Sequence, residues 1–422
     1  MRVSLVNTGT ELLLGRVLNT HQQWLGARMA AQGWPITHQS TVPDTGHDIE
    51  RALRAELAQG GVILTTGGLG PTSDDLTRQH LAALLKLPLR EDAEVARAIH
   101  ARFDRHQRPM PPSALVQALV PEGAAVLHNA QGTAPGLAMA LGARPAIATS
   151  WLIMLPGPPR ELRPMFDEQV IPWLHGHLPR QSPPLSLTLR TTGMGESRVE
   201  AAIAEMLTPL LAAGLEVGYC AHSAGVDVRL CASGPEAAAT VNSAGLLVRG
   251  ALAAHIYGAE DETLEEVVVR RLAQSGQSLA VAESCTGGLL AHRITNVPGA
   301  SAVLVAGVVA YSNQAKCSLL GVRAETLSAH GAVSQAVACE MATGVRERNG
   351  ADFGLATTGI AGPGGGSADK PVGTVLIALA SARGVKAERQ FNPFDRPTFK
   401  EITTQQALNR LRVMLDAGSE AT

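Results

Sequence analysis

Short apolar runs alternate with amphipathic helical patterns through the first third of the chain, and this alternation limits the fold more than any other feature. Val3 to Val6 and Val62 to Thr65 have the composition of buried strands, and a helical pattern covers Asp48 to Ala58 between them. Strands and helices in this order predict right-handed parallel βαβ units, and therefore an α/β fold. In such sheets ligands bind beyond the carboxyl ends of the strands.

The carboxyl ends of these predicted strands carry glycines and acidic residues. Glycines let the backbone approach a ligand closely, and the N–H groups that follow can hold a phosphate. The carboxylates suit a divalent cation, or one of them a general base. A Gly-Pro turn with aspartates that cap the next helix explains the same residues, so both interpretations stay open. The residues concerned are Asp44, Gly67, Gly68, Asp74 and Asp75.

Two changes in pattern divide the chain. Leu178 to Pro184 is rich in proline and is typical of a linker, and a short region with three strand-like and two helical patterns follows it. This region predicts a small α+β domain. A second alternation of strands and helices begins near Asp261 and predicts another α/β domain. We therefore predict domains over residues 1–170, 171–258 and 259–422.

The stretch AESCTGG, Ala282 to Gly288, is the main candidate for catalysis. An apolar run precedes it and a helical pattern begins near its end, so Ser284 is expected on a strand-to-helix turn beside unpaired backbone N–H groups. Two further strands of this region end near Tyr311 with Lys316, and at Thr358. Sheet topology predicts that these strand ends converge.

These residue types suit a hydrolase with a serine nucleophile. A serine hydroxyl is a weak nucleophile until a base takes its proton, and a desolvated Lys316, or Tyr311 near a cation, can serve. Cys285 is a rival nucleophile, although a small buried hydrophobe is its more frequent role. The backbone N–H groups expected to stabilise an oxyanion are those of Thr286, Gly287 and Gly288.

A second glycine-rich stretch, Gly362 to Gly366, follows the strand that contains Thr358. Gly362 and Gly364 suit a backbone that approaches a phosphate or a ribose. A flexible surface loop explains the same composition equally well.

Composition excludes several other classes. The formal net charge is -2 and no long basic run is present, which argues against a nucleic-acid partner. The five cysteines are an odd number without a CxxC pair, so a reducing cytoplasm is expected. No run of about 18 apolar residues occurs, and the N-terminus does not resemble a signal peptide, so no membrane association is expected.

The chain resembles the CinA (competence/damage-inducible protein) family over essentially its whole length. The family's N-terminal signatures resemble GTELLLGRVLNT, TTGGLGPTSDDLT, QGTAPGL and LPGPPREL in this sequence. Its C-terminal nicotinamide-nucleotide amidase domain resembles AESCTGG, VAYSNQAKCSLLGV, and TTGIAGPGGG with KPVGTV. The motifs occur in the family's order.

This resemblance implies an N-terminal MoaB-like domain with a parallel sheet, a KH-type α+β middle domain and a C-terminal α/β amidase domain. The amidase would deamidate nicotinamide mononucleotide to nicotinic acid mononucleotide and ammonia, without a cofactor. The alternatives are ADP-ribose pyrophosphatase activity in the N-terminal domain, with help from a divalent metal ion, and nucleotide binding without turnover. The family also implies a homodimer.

Roles for particular residues follow from the same resemblance. Ser284 matches the nucleophile, Tyr311 and Lys316 its activating partners, and Thr358 a substrate or oxyanion contact. The implied substrate-binding residues are Thr286, Gly287, Gly288, Gly362, Gly364, Arg396, Gly67 and Gly68. The implied metal ligands are Asp44, Asp74 and Asp75, and Glu11 belongs to a family motif.

One segment departs from the family. Its usual GDRxxVR motif corresponds here to residues 394–400, within the stretch 392–400, where Phe394 replaces the glycine, Phe399 the valine and Lys400 the second arginine. Arg396 is retained. A lysine cannot reproduce the two-pronged grip of a guanidinium on phosphate.

Overall fold

The computed structural model describes residues 1–143, 145–179 and 181–419. The chain forms two compact units, Met1–Pro184 and Leu185–Thr422. The second unit contains two sheets.

The first unit is a mixed α/β domain. Its strands are β1 Val3–Thr8, β2 His38–Val42, β3 Gly61–Thr66, β4 Leu89–Glu91, β5 Leu119–Pro121, β6 Ala125–Leu127, β7 Gly136–Leu141 and β8 Ser150–Leu155. Its α-helices are α1 Thr10–Leu13, α2 Thr20–Ala30, α3 Gly46–Gln59, α4 Thr77–Leu85, α5 Ala93–Arg105, α6 Pro159–Met165 and α7 Ile171–His177. A 3-10 segment covers Pro112–Ala118, and a π turn covers Phe166–Val170.

The main sheet of this unit has the order β2-β1-β3-β8-β7-β6. The first four strands are parallel, which confirms the predicted βαβ units, and β7 and β6 are antiparallel to their neighbours. Helices cover both faces, so residues of β1 alternate between two hydrophobic cores: Leu5 packs in one and Val6 in the other. Burial on both faces explains why the strand is an almost continuous apolar run.

The first part of the second unit is the small α+β domain. Its strands are β9 Leu185–Thr191, β10 Glu216–His222, β11 Gly225–Ala232 and β12 Ile256–Ala259, and its helices are α8 Glu196–Ala212 and α9 Ala237–Ala251. The strands form an antiparallel sheet of order β10-β11-β9-β12. Both helices pack on it, with Val199, Ile203 and Leu207 of α8 buried as the helical pattern requires.

The rest of the second unit is a three-layer α/β domain. Its strands are β13 Leu279–Glu283, β14 Leu304–Val309, β15 Phe353–Gly359, β16 Thr374–Ser381 and β17 Gly384–Phe391. Its α-helices are α10 Leu264–Ser275, α11 Leu289–Thr295, α12 Asn313–Leu320, α13 Ala324–His330, α14 Gln335–Arg348 and α15 Arg396–Ser419, and a 3-10 turn covers Ala300–Ala302.

The sheet of this domain has the order β14-β13-β15-β16-β17. β13 lies between β14 and β15 and is parallel to both, whereas β16 and β17 are antiparallel. The carboxyl ends of the three parallel strands therefore meet at one edge, and these ends precede Ser284, Tyr311 and the loop after Thr358. This sheet gives Ser284 its position.

Three details differ from the sequence-based expectations or add to them. The long strand expected to end at Tyr311 to Asn313 stops at Val309, because Ser312 caps α12 by accepting a hydrogen bond from the N–H of Ala315. Helix α7, which the predicted boundary at residue 170 assigned to the middle domain, packs through Leu174 in a core of the first unit. No helix in the described parts of the chain is both long and apolar enough to cross a bilayer.

Candidate active site

Ser284 lies on a tight turn between β13 and α11. Its N–H donates to the carbonyl of Thr357 on the neighbouring strand, at 3.0 Å, and this bond continues the sheet into the turn. Gly287 and Gly288 have φ values of 60° and 95°, in the left-handed region that favours glycine. Within the described residues the hydroxyl of Ser284 has no hydrogen-bond partner, so it is free to react.

The buried carboxylate of Glu283 holds this turn and the start of α11. Its oxygens accept hydrogen bonds from the N–H groups of Gly288, Leu290 and Ala291, at 3.0, 3.0 and 2.8 Å. A negative charge at a helix N-terminus is favourable, and here the side chain is 0% exposed. Sequence reasoning missed Glu283. An acidic residue at the end of an apolar strand and just before a helix is the signal that points to it.

These bonds change which N–H groups can stabilise an oxyanion. The N–H of Gly288 is taken by Glu283, and the N–H of Gly287 donates to the carbonyl of Ser284 at 3.2 Å. Both N–H groups, which were predicted to stabilise an oxyanion, therefore have acceptors within the protein in this conformation. In the described part of the chain, the N–H groups of Cys285 and Thr286 have no acceptor. An N–H directly after the nucleophile is the usual oxyanion donor of strand-to-helix nucleophile turns.

A pair of threonine hydroxyls fixes the base of the turn. The hydroxyls of Thr286 and Thr357 are 2.8 Å apart, and both side chains are 0% exposed. Thr358, the predicted contact, points to the other face of β15, where its hydroxyl donates to the carbonyl of Ala332 at 2.9 Å. Successive residues of a strand face opposite sides, so Thr357 rather than Thr358 contacts the nucleophile turn.

Lys316 is buried next to the same turn. Its side chain is 2% exposed, and its Nζ donates to the carbonyls of Ala310 and Tyr311, each at 3.1 Å. The N–H of Ala310 in turn donates to the carbonyl of Glu283, at 2.8 Å, which ties the lysine site to the residue before Ser284. Burial lowers the pKa of Lys316, because it disfavours the charged ammonium.

Burial shifts the pKa of Cys285 in the direction opposite to that of Lys316. Its thiol is buried, and burial raises the pKa of Cys285 to about 12. A thiol with such a pKa stays protonated at neutral pH and is a poor nucleophile. The side chain belongs to the hydrophobic core. The environment thus favours Ser284 over Cys285 as the reactive group.

Arg396 joins two predicted site residues. It donates to the hydroxyl of Tyr311 at 2.9 Å and to the carbonyl of Gly362 at 3.0 Å. The glycine-rich loop that contains Gly362 and Gly364 is therefore linked to the strand end that carries Tyr311. The Tyr311 side chain is 61% exposed, and its hydroxyl accepts from the arginine.

The segment that departs from the family motif starts α15. Asp395 accepts hydrogen bonds from the N–H and the hydroxyl of Thr398, which lower the pKa of its carboxyl. Phe399 is 0% exposed in the core, so the larger side chain fills space there. Lys400 lies at the nucleophile turn: its Nζ is 3.7 Å from the position that a Cβ on Gly287 would occupy. Phe394 is 51% exposed.

The first unit contains a separate cleft at the carboxyl ends of β1 and β3, with a volume of about 380 Å³. Asp44 accepts from the N–H of Thr10 at 2.7 Å, and Asp75 accepts from the N–H of Thr72 at 2.9 Å. The side-chain hydrogen bond of Thr72 lowers the pKa of Asp74. The predicted residues that the structure brings together here are Glu11, Asp44, Gly67, Gly68, Asp74 and Asp75.

These carboxylates were predicted as metal ligands. Among the described residues, no three His, Cys, Asp or Glu side chains are grouped so that they could hold a metal ion directly. Asp44 and Asp75 already accept hydrogen bonds from the protein. The arrangement therefore does not fit a metal held by three protein side chains.

The fold and the site define a three-domain α/β protein with a serine-bearing turn at the carboxyl edge of its last sheet. Three family models match it: "Probable molybdopterin binding domain" over residues 4–176, "Damage-inducible protein CinA KH domain" over 186–258 and "CinA C-terminal domain" over 261–415. The chain belongs to the CinA family, as the sequence motifs predicted, and the order of domain types is confirmed.

Similar proteins cover the whole chain. A CinA-like protein of Akkermansia muciniphila is 43% identical over 97% of this chain and 96% of its own length. A CinA-like protein of Parasynechococcus marenigrum is 41% identical, over 99% of each chain. A crystal structure of a competence/damage inducible protein from Agrobacterium tumefaciens is 42% identical and covers 37% of this chain and 97% of its own, with a TM-score of 0.35.

Proposed function

We propose that the C-terminal domain hydrolyses the carboxamide of nicotinamide mononucleotide, with Ser284 as the nucleophile. The observation that carries this proposal is the free hydroxyl of Ser284 on a turn whose Cys285 and Thr286 N–H groups also lack an acceptor in the described chain. A nucleophile beside two free N–H groups is what acyl transfer requires.

Lys316 is the proposed base. A neutral amine has two N–H bonds and one lone pair, and the two carbonyls of Ala310 and Tyr311 can accept both N–H bonds. The lone pair then remains for the proton of the Ser284 hydroxyl. Burial supports this role, because it lowers the pKa and so increases the neutral fraction at a given pH.

The reaction proceeds in two halves. The Ser284 oxygen forms a bond to the carboxamide carbon, the proton passes to Lys316, and the N–H groups of Cys285 and Thr286 stabilise the negative oxygen. The carbon–nitrogen bond breaks, and the leaving nitrogen takes the proton from Lys316 to give ammonia. Water, deprotonated by Lys316, then splits the acyl ester and yields nicotinic acid mononucleotide and free serine.

The phosphate and ribose of the substrate have candidate partners in the same domain. Arg396 has donors beyond the two bonds that it makes to Tyr311 and Gly362. The backbone around Gly362 and Gly364 and the turn at Gly287 and Gly288 are further candidates.

The test is ammonia release from nicotinamide mononucleotide by the full chain, with Cys285→Ala beside the wild type. We expect ammonia and nicotinic acid mononucleotide in equal amounts from both proteins. Loss of activity in Cys285→Ala would make the cysteine the nucleophile. Ligand binding without any product would favour a nucleotide-binding protein without turnover.

A second activity is proposed for the first unit, the hydrolysis of the pyrophosphate of ADP-ribose. The observation that favours it is the cleft that Gly67, Gly68, Asp44 and Asp75 line at the carboxyl ends of parallel strands. AMP formation from ADP-ribose, measured with several divalent ions, tests it. We expect Asp75→Asn to reduce AMP formation, and the absence of AMP under all conditions would reject the proposal. The homodimer and the cytoplasmic location stay predictions.

A further inference from the structure

Arg78, the second residue of α4, is a buried cation without a carboxylate partner in the described part of the chain. Its side chain is 0% exposed. Its Nη2 atom donates to the carbonyl of Leu69 at 3.3 Å, and its Nη1 atom donates to the carbonyl of Gln117 at 3.2 Å. Its Nε atom is buried without an acceptor. Burying a charge without an opposite charge is costly, so the position of Arg78 requires an explanation.

The carbonyls of the glycine-rich loop after β3 point towards the start of α4. The N–H of Thr77 donates to the carbonyl of Gly68 at 3.2 Å, and Arg78 binds the next carbonyl along the chain, that of Leu69. In a trans peptide the C=O group and the N–H group of the next residue point in opposite directions. The N–H groups of Leu69 and Gly70 therefore point away from α4.

These two N–H groups belong to residues that line the cleft of about 380 Å³ in the first unit. The side chain of Leu69 is 1% exposed in the core, and Gly70 has no side chain, so the backbone is the part of both residues that a ligand can meet. Within the described residues the N–H groups of Gly68, Leu69 and Gly70 have no acceptor. Successive unpaired N–H groups form a concave surface that binds anions.

The side chains around the cleft supply no positive charge. Among the described residues that line it there is no lysine or arginine, whereas five carboxylates do line it, those of Glu11, Asp44, Asp74, Asp75 and Glu161. Burial lowers the pKa of Arg78 to about 10, so its guanidinium is still charged at neutral pH. Salt screens a buried charge less than an exposed one. Arg78 therefore offsets part of the repulsion between the carboxylates and an anionic ligand.

We infer that Arg78 is the positioning residue of a diphosphate subsite that the N–H groups of Leu69 and Gly70 form. This assignment rests on the ADP-ribose pyrophosphatase proposed for the first unit, because it names the groups that would hold the diphosphate of that substrate. Phosphate oxygens would accept hydrogen bonds from the two N–H groups. Arg78 does not touch the ligand: it fixes the Leu69 carbonyl and places a positive charge beneath the loop.

Isothermal titration of the full chain with ADP-ribose, without divalent ions, tests the subsite apart from turnover. Arg78→Met removes the charge and both donors and should weaken binding at least about 10-fold. Arg78→Lys keeps the charge but not the planar set of donors, so its affinity should lie between those of Arg78→Met and the wild type. Arg54→Met, a matched change at an exposed arginine of α3, should bind as the wild type does.

Amide hydrogen exchange, measured by mass spectrometry, locates the subsite. ADP-ribose should slow exchange in a peptide that covers residues 67–76 of the wild type, because bound N–H groups exchange more slowly. Arg78→Met should lose this protection, while exchange in α2, Thr20–Ala30, stays as in the wild type. A merely structural role of Arg78 would change exchange throughout the unit and not only in the loop.

Four results would overturn the inference. These are no binding of ADP-ribose to the wild type at millimolar concentration, wild-type affinity in Arg78→Met, no protection of residues 67–76 by bound ADP-ribose, and unfolding of both Arg78 variants. AMP formation is measured separately. Binding as expected without any AMP would reject the pyrophosphatase alone, whereas AMP formation with the wild-type KM in Arg78→Met would reject only the role of Arg78.

Discussion

The buried carboxylate of Glu283 is expected to hold the nucleophile turn, and Glu283→Gln tests this with a nearly isosteric change. The carboxylate accepts three backbone hydrogen bonds, two on one oxygen and one on the other. The amide keeps one oxygen, so it can accept the bonds from Gly288 and Leu290 but turns its NH₂ group towards the N–H of Ala291. A charge-assisted bond is lost and a buried donor is left unpaired.

The expected cost is about 2–4 kcal/mol, from the usual values for a hydrogen bond to a charged group and for an unpaired buried donor. The free energy of local opening of the turn and of α11 should decrease by this amount. Amide hydrogen exchange in a peptide that covers residues 287–295 should therefore become roughly 30- to 1,000-fold faster.

Exchange measured by mass spectrometry on the full chain checks this prediction. Glu325→Gln is the matched control, because Glu325 is exposed in the first turn of α13 and should leave residues 287–295 unchanged. The rate of ammonia release should also fall in Glu283→Gln. Wild-type exchange in Glu283→Gln would refute the reasoning that this carboxylate holds the turn.

Three further predictions follow from the same domain. If Lys316 acts as a neutral base, kcat/KM should rise with pH through a pKa below the ordinary lysine value of about 10.4. Lys316→Met should abolish both this rise and the activity. An unchanged pH profile in Lys316→Met would exclude the role. Tyr311→Phe removes one solvent-exposed hydrogen bond to Arg396. The KM for nicotinamide mononucleotide should therefore rise about 2- to 10-fold with little change in Tm. A large fall in kcat would instead make Tyr311 a proton-transfer group. Phe399→Ala empties a fully buried core position and should lower stability by about 3–5 kcal/mol, seen as a lower thermal transition, whereas exposed Phe394→Ala should have little effect.

Much of the fold could be predicted from local pattern. The apolar runs of β1 and β3 and the helical pattern between them identified the parallel sheet, because burial on both faces requires such runs. The antiparallel strands β6 and β7 could not be predicted in the same way, since strand direction depends on where the chain returns and not on the composition of the strand. The linker that ends at residue 184 could also be predicted, because its proline-rich composition is a local feature of the sequence.

The candidate site was predictable in outline and not in its contacts. Ser284 lies where a strand-to-helix turn was expected, and Lys316 is buried beside it. Whether Thr357 or Thr358 faces the turn depends on the register of β15, because a shift of one residue turns every side chain to the opposite face. The role of Glu283 could not be predicted, because it depends on three N–H groups that converge only after the turn has formed.

Residues 394–400, which depart from the family motif, also show that the sequence predicts the position of a site but not its contacts. Lys400 in place of arginine suggested altered phosphate binding from the sequence, whereas Phe399, in place of valine, lies in the core. Lys400 lies at the nucleophile turn, which only the packing of α15 against α11 could reveal.

The most direct test of the central claim is the initial rate of ammonia release from nicotinamide mononucleotide by Ser284→Ala and by the wild type. We predict a fall of at least about 1,000-fold in Ser284→Ala, because no other group replaces the attacking oxygen. Ser301→Ala, an exposed serine in the same domain, should keep the wild-type rate. A wild-type rate in Ser284→Ala would contradict the assignment of Ser284 as the nucleophile.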